Sequence, residues 1–297
     1  MSTLSNCTSS TRPASPSTGD TLFETDTKKI IVWNGSDWYV YNYDDTTAFS
    51  NNLSISLDGS NDFLTTTYTP SNSTAFSYSF WTKSSDITNS MSWMSTSPFS
   101  GNGGGFRVIT PSGTKAFYVL VANGSGQYLN NNVGGTDASL AVRDGSWHHL
   151  VFSISGTAIK IWIDGGSGGS PTHTDTSTIS YVGNVTQPLI IGRNGGHSSY
   201  YFNGGLDEIA TFEYELSATQ VANIYNSGVP NDVGANGLNL SPSSYFRCGD
   251  GSSDTNSSGG TPSNSDSVGT ITSLVGGYTA TQGTTSYKPT YSSNVPS

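Results

Sequence analysis

The stretch Gly145 to Gly165, GSWHHLVFSISGTAIKIWIDG, constrains the fold more than any other part of the chain. Period-two alternation puts His148, Leu150, Phe152 and Ile154 on one face and Trp147, His149, Val151 and Ser153 on the other, as a half-buried strand requires. After Gly156 and Thr157, Ile159, Ile161 and Ile163 alternate with Lys160, Trp162 and Asp164, which makes the pair a β-hairpin. A two-residue turn pairs Ile154 with Ile159, Phe152 with Ile161, Val151 with Trp162 and His149 with Asp164. One face is apolar and belongs to a core; the other carries an aromatic and charged cross-strand set. Adjacent strand residues point to opposite faces, so His148 and His149 cannot share a metal ion and read as sheet wall.

Similar segments recur from about Leu53 to Gly228: NLSISLDG, FLTTTY, AFSYSFWTK, FRVIT, AFYVLVA, PLIIG and LDEIATFEYEL, with Gly, Asn and Ser between them. Strands at this spacing predict an all-β sandwich or jelly roll. One helix is predicted, from Ser217 to Tyr225, with Ser217 as cap, Val221, Ile224 and Tyr225 on one face, and Gly228 and Pro230 as stops. It is expected to plug an edge. Upstream, strands Thr21 to Thr25, Lys29 to Trp33 and Asp37 to Tyr43 are expected, the last two joined by a turn at Asn34 and Gly35. Three such strands cannot stand alone, so Phe23, Ile31, Trp33 and Trp38 are expected to dock on a partner or a second copy. The predicted organisation is an extended amino-terminal arm over 1–20, a small aromatic β module over 21–45, the jelly roll over 46–230, and a Ser/Gly-rich segment over 231–297 that completes or braces it.

A formal charge of −10, from 11 Lys plus Arg against 21 Asp plus Glu and without any basic run, argues against nucleic acid as a partner. No window approaches the roughly 18 apolar residues of a membrane span, so no membrane insertion is expected. The first twenty residues lack the apolar core and basic start of a signal peptide. Cys7 and Cys248 lie near opposite ends and form no recognisable framework.

No catalytic constellation emerges. His173 and His197 sit in polar loops without a nucleophile motif, and Asp207 and Glu208 are expected on opposite faces of a strand. Tyr200 and Tyr201 follow Arg193 and Asn194 in a loop, and Phe99 and Phe106 flank SGNGGG. Such rings either stack on sugars while polar neighbours bind hydroxyls, or bury themselves at a subunit contact.

Five motifs in combination resemble the LamG-like, concanavalin A-like jelly-roll family: SISLDGSNDFLTT, FSYSFWTK, DGSWHHLVFSISGTAIKIWIDG, LIIGRNGG and YFNGGLDEIATFEYELSATQVANIYNSG. The resemblance implies a concanavalin A-like (LamG-like) sandwich and a calcium ion at its rim, with the family's aspartate positions falling on Asp58, Asp62 and Asp207. A plainer reading makes Asp58-Gly59 a turn and Asp207 a strand cap. The stretch Arg12 to Tyr41 is similar to a short module of tailed-bacteriophage virion proteins, and YFRCGDGSSDTNSSGGT with VGTITSLVGGYTA is similar to the segment that precedes LDGSND in LamG-like chains. Here it follows the jelly roll, so it either completes the same domain or opens a second, truncated copy.

These resemblances imply a non-enzymatic bacteriophage virion protein, a tail or head fibre, knob or capsid decoration, made in the host bacterial cytoplasm and displayed on the virion surface. Its expected partners are capsid, portal or adaptor and tail proteins, further copies of itself (a trimer by analogy with fibres), and a host-surface glycan held by Arg193, Asn194, Tyr200 and Tyr201. The alternatives are a receptor-binding lectin without a structural role and an accessory domain of a secreted carbohydrate-active enzyme.

Overall fold

A computed structural model describes residues 5–27, 29–33, 35–41, 49–71, 74–96, 104–123, 128–131, 141–176, 185–195, 200–234 and 238–297. The chain divides into two compact units, Met1–Phe49 and Ser50–Ser297.

The first unit is a four-stranded sheet ordered β1 (Ser5–Cys7), β2 (Thr21–Glu24), β3 (Lys29–Trp33) and β4 (Trp38–Tyr41). The arm expected over 1–20 is therefore not simply extended. Ser5–Cys7 runs parallel to β2, Gly19 N donates to the Trp33 carbonyl, and Arg12 Nε donates to the buried Glu24 at 2.5 Å. The hairpin turn is also longer than a two-residue Asn-Gly turn, because Trp33 pairs with Trp38 and leaves 34–37 between them; Asn34 lies outside the described residues.

The second unit is a sandwich of two sheets. One has the order β11 (Tyr128–Asn131), β10 (Tyr118–Asn123), β9 (Gly104–Thr110), β8 (Met91–Ser95), β15 (Ile190–Ile191), β6 (Leu64–Thr66), β20 (Thr279–Thr281), β19 (Val268–Thr272) and β18 (Thr255–Asn256). The other has the order β14 (His173–Thr176), β13 (Ala158–Ile163), β12 (Trp147–Ser155), β7 (Ala75–Lys83), β16 (Asn203–Phe212), β5 (Ser54–Asp58) and β21 (Thr290–Ser292), with β17 (Ser244–Phe246) also paired to β16. Both sheets thus take strands from residues beyond 231. Tyr245, Phe246, Val268, Ile271 and Tyr291 are all buried.

The main core lies between the sheets, where Phe80, Phe152, Leu206 and Ile55 meet Trp93, Phe106, Val108 and Ile271. The opening hairpin has the expected register, Ile154 with Ile159, Phe152 with Ile161 and Val151 with Trp162. Its second face is covered too. Val151, Trp162, Ala210, Phe212 and Tyr245 form a second core with Val221 and Ile224 of helix α1 (Ala218–Tyr225). The helix therefore lies on the outer face of the sheet instead of plugging an edge. Ser217 caps it as expected, in a reciprocal capping box with Gln220.

Strand β7 is covered on both faces, so its serines need internal partners: Ser77 Oγ meets Ser153 Oγ at 2.6 Å, and Ser79 Oγ meets His149 Nε2 at 2.9 Å. His149 is completely buried against Trp81 and Tyr225, and burial pushes its pKa down to about 3, so the ring is neutral. His148 lies at the rim, its Nδ1 2.8 Å from Asp164 Oδ2 and its Nε2 3.2 Å from Asp144 Oδ1.

Candidate functional site: a tryptophan-walled cleft

The registers Trp147 with Lys83, Lys83 with Gly205 and Gly205 with Ser56 place these four residues in a row on the outer face of the second sheet. The Trp147 ring reaches across to β16, where a Cβ on Gly205 would stand 2.7 Å from Cη2. Its neighbour Gly204 has φ +150°, and a Cβ there would stand 2.1 Å from the Lys83 carbonyl oxygen. Gly205 thus lets the indole lie against the strand, while Gly204 lets the backbone pass close to that of β7. Beside it opens a cleft of about 290 Å³ lined by Lys83, Asp86, Trp147, Asn203 and Asn294, with Ser54, Ser56 and Ser84 on its floor and sides.

The polar groups of the cleft are held in place. Asn294 Oδ1 accepts from Trp147 Nε1 at 3.0 Å and from Lys83 Nζ at 3.3 Å. Asn203 Nδ2 donates to Asp86 Oδ2 at 3.1 Å, while Ser84 Oγ donates to the Asn203 carbonyl at 2.7 Å. Against the partial burial that raises it, hydrogen bonds from Asn89, Thr88 and Asn203 hold the Asp86 carboxyl well below the usual carboxylate range. The cleft therefore presents a partly exposed indole, a fixed carboxylate, amides, hydroxyls and one ammonium group.

The aspartates expected to share calcium do not come together. Asp58 and Asp62 do: Asp62 Oδ2 accepts from Asp58 N at 3.1 Å, and burial together with the Asp58 charge pushes Asp62 up to about 6. Asp58 Oδ1 accepts from Ser60 N and Asn61 N, as in a turn. Asp58 pairs with Asn203, four residues before Asp207 on β16, a separation of about 13 Å along a strand. Among the described residues no three His, Cys, Asp or Glu side chains form a metal-binding group, and Asp58, Asp62 and Asp207 do not fit one ion that takes six to eight oxygens.

Asp207 and Glu208 do not take opposite faces. A register shift between Asp207 and Ala210 marks a β-bulge, and Leu206 and Ile209, three residues apart, both enter the main core. The two carboxyls between them share the outer side. Asn51 Nδ2 donates to Asp207 at 2.9 Å; Arg247 Nε donates to Glu208 at 3.0 Å, and Tyr245 Oη donates to the same carboxylate. Burial raises both pKa values, and the Glu208 charge raises that of Asp207 further.

The loop expected to hold a glycan is partly as expected. Arg193 and Tyr201 pair across an isolated bridge; the guanidinium sits 3.7 Å from the Phe63 ring centre, and Tyr201 lies 6.4 Å from that ring. Tyr200 is partly exposed and its carbonyl accepts from Ser92 N. Asn194, however, is fully buried and cannot face a ligand at the surface. Phe106 is a core residue in contact with Tyr78 and Phe152, whereas Phe99 and His197 lie outside the described residues.

In the first unit, Trp33 and Trp38 are partly exposed, with ring centres 5.6 Å apart. Ile31 is buried, and Phe23, paired with Ile30, lies on the opposite face from Ile31 and Trp33, so the four do not form one exposed docking patch.

Sequence reasoning passed over Lys83, Asp86, Asn203 and Asn294, and treated Trp147 as sheet wall. The signal was Asn203-Gly204-Gly205: paired glycines within a strand mark a close approach by another group.

No curated protein matches the chain. Among solved structures, a candidate carbohydrate binding protein from Bacteroides ovatus is similar at a TM-score of 0.56 and 15% identity, over 84% of this chain and 62% of that one. The chain thus spans less than two thirds of that protein's length. The heptameric SAP-like pentraxin of Limulus polyphemus matches at a TM-score of 0.43 and 15% identity, over 60% of this chain and 84% of that one. Domain 4 of a GH43 extracellular arabinanase from Geobacillus stearothermophilus, in complex with arabinotriose, matches at 0.43 and 19%, over 58% and 76%. At such identities the likeness is one of fold. The family model for a laminin G-like domain matches residues 58–222, more than half of the chain and spanning strands of both sheets, and the chain belongs to the concanavalin A-like lectin/glucanases superfamily.

Proposed function

We propose that this protein is a non-catalytic glycan-binding protein and that the Trp147 cleft is its binding site. The observation that carries the reading is the partly exposed Trp147 indole beside polar groups already fixed by hydrogen bonds. A sugar ring offers one apolar face for an aromatic plane and a rim of hydroxyls that both donate and accept. Asp86 accepts, Lys83 donates, and Asn203 and Asn294 do both, so the cleft matches that pattern with little ordering cost. Hydrolysis of a glycosidic bond ordinarily requires two carboxyl groups flanking it, and Asp86 is the one carboxylate among the described lining residues. The Asp207 and Glu208 pair is buried and already bonded to protein groups.

A glycan array probed with the intact chain tests the reading. Saturable binding is expected, with Trp147→Ala weakening it about thirtyfold, the loss typical of an aromatic hot spot, while the melting temperature is retained. Absence of binding, or binding that Trp147→Ala leaves unchanged, overturns it.

A structural role on a bacteriophage virion belongs to the same proposal. It is supported by the resemblance of Arg12 to Tyr41 to virion modules and by the partly exposed Trp33 and Trp38 pair on a sheet of four short strands. Self-association through this face predicts a homo-oligomer in light scattering that Trp33→Ala with Trp38→Ala dissociates. A monomer at all concentrations removes the oligomer from the account.

A further inference from the structure

A second cleft, of about 310 Å³, lies on the other side of the same tryptophan. Trp147 lines both, so one indole is the partition between them. Besides Trp147, the second cleft is lined by Trp81, Tyr225, Asp164, Ser146, Gly228 and Ser297. Tyr225 stacks on Trp81 with ring centres 5.9 Å apart and planes at 24°. A Cβ at Gly165, where φ is +79°, would stand 2.6 Å from Tyr225 Cδ1, so the glycine is what leaves room for that ring. Asp164 Oδ1 accepts from His149 N and its Oδ2 contacts His148 Nδ1, which fixes the carboxylate at the edge of the aromatic pair.

The two clefts therefore repeat one chemistry: an aromatic surface with a single anchored carboxylate, Asp86 in the first and Asp164 in the second. Each volume lies at the small end for a ligand pocket, enough for one sugar ring and its water. Resting on the glycan reading above, we infer that the ligand is a neutral oligosaccharide of at least two units that crosses Trp147, with one unit in each cleft. Of the charged side chains that line the clefts, two are carboxylates and one is the Lys83 ammonium, already turned toward Asn294. An acidic saccharide meets like charge on both sides of the partition.

Isothermal titration of the full chain with mono-, di- and trisaccharides of glucose, xylose, mannose and N-acetylglucosamine, and with oligogalacturonate as the acidic series, tests this. In a series that binds, the disaccharide is expected to bind on the order of tenfold more tightly than the monosaccharide, the scale of one added aromatic contact with its area. Tyr225→Ala is expected to abolish that gain. Because Tyr225 also packs on Trp81, Ser146→Trp is the second variant: it fills the second cleft from an exposed position and removes no core contact. Equal affinity for one and two units, a gain that survives Ser146→Trp, or tighter binding of oligogalacturonate than of every neutral series overturns the two-unit site while the glycan reading stands. No heat with any series overturns both.

Discussion

Truncation after Val233 tests whether residues 234–297 are part of the sandwich or an attachment to it. The cut removes β17 to β21 and strips hydrogen-bonding partners from β6 on one sheet and from β5 on the other. It also removes Tyr245, Phe246, Val268, Ile271 and Tyr291, none more than 1% exposed. At about 1.5 to 3 kcal/mol for each buried side chain of this size, their loss amounts to about 7 to 15 kcal/mol, against a whole stability of about 5 to 15 kcal/mol for an ordinary domain. The shortened chain is therefore expected not to fold. Urea titration followed by near-ultraviolet circular dichroism should show no cooperative transition and no aromatic signal. A cooperative transition like that of the full chain would refute the reasoning, because the two sheets would then close without their last five strands.

Three further outcomes are expected. Arg247→Met leaves the buried Glu208 carboxylate without its cation and should cost about 3 to 5 kcal/mol; the double variant with Glu208→Met should lose clearly less than the two single losses together, and additive losses in a double-mutant cycle would contradict the pairing. Asp62 is pushed up to about 6 in the fold from an ordinary 3.8, so the folded state favours its protonated form and stability from this group falls as pH rises from about 4 to 6. Asp62→Asn removes that loss: its stability relative to the parent should climb by at most about 3 kcal/mol across the same window, and a pH-independent difference in denaturant melts would contradict the shift. Cys248 is fully buried and its thiol is pushed well up by burial, whereas Cys7 is partly exposed. Iodoacetamide should thus label Cys7 in the native protein and Cys248 only after unfolding, and equal native labelling would contradict the packing.

The sequence was most readable where local rules acted alone. The turn at Gly156 and Thr157 fixes the hairpin register, and Ser217 with Gln220 fixes the start of the helix. It was least readable where one residue changes the parity of a strand. The bulge after Asp207 inserts such a residue, so alternation counted through LDEI assigns Glu208 to the wrong face. Phe106, at the start of the segment FRVIT, read as an exposed ring because glycines precede it, but Gly105, with φ +130°, already lies within the strand and packs where a Cβ would stand 2.6 Å from the Thr96 carbonyl oxygen. The last strands are short and polar, with few core residues to set a period. Besides the few side chains they bury, they are held by backbone pairing and by Asp254, whose carboxylate accepts from the backbone N–H groups of Gly249, Gly251 and Thr272. The Trp147 cleft was the hardest to see, because Lys83, Trp147, Asn203 and Asn294 are distant in sequence and meet only through the order of β12, β7, β16, β5 and β21.

The most direct measurement is a crystal structure of the full chain with the tightest saccharide from the array. The account predicts a sugar ring with its apolar face on Trp147 and hydroxyls within hydrogen-bonding distance of Asp86 or Asn203. A saccharide seated against Arg193 and Tyr201, with no sugar beside Trp147, would contradict it.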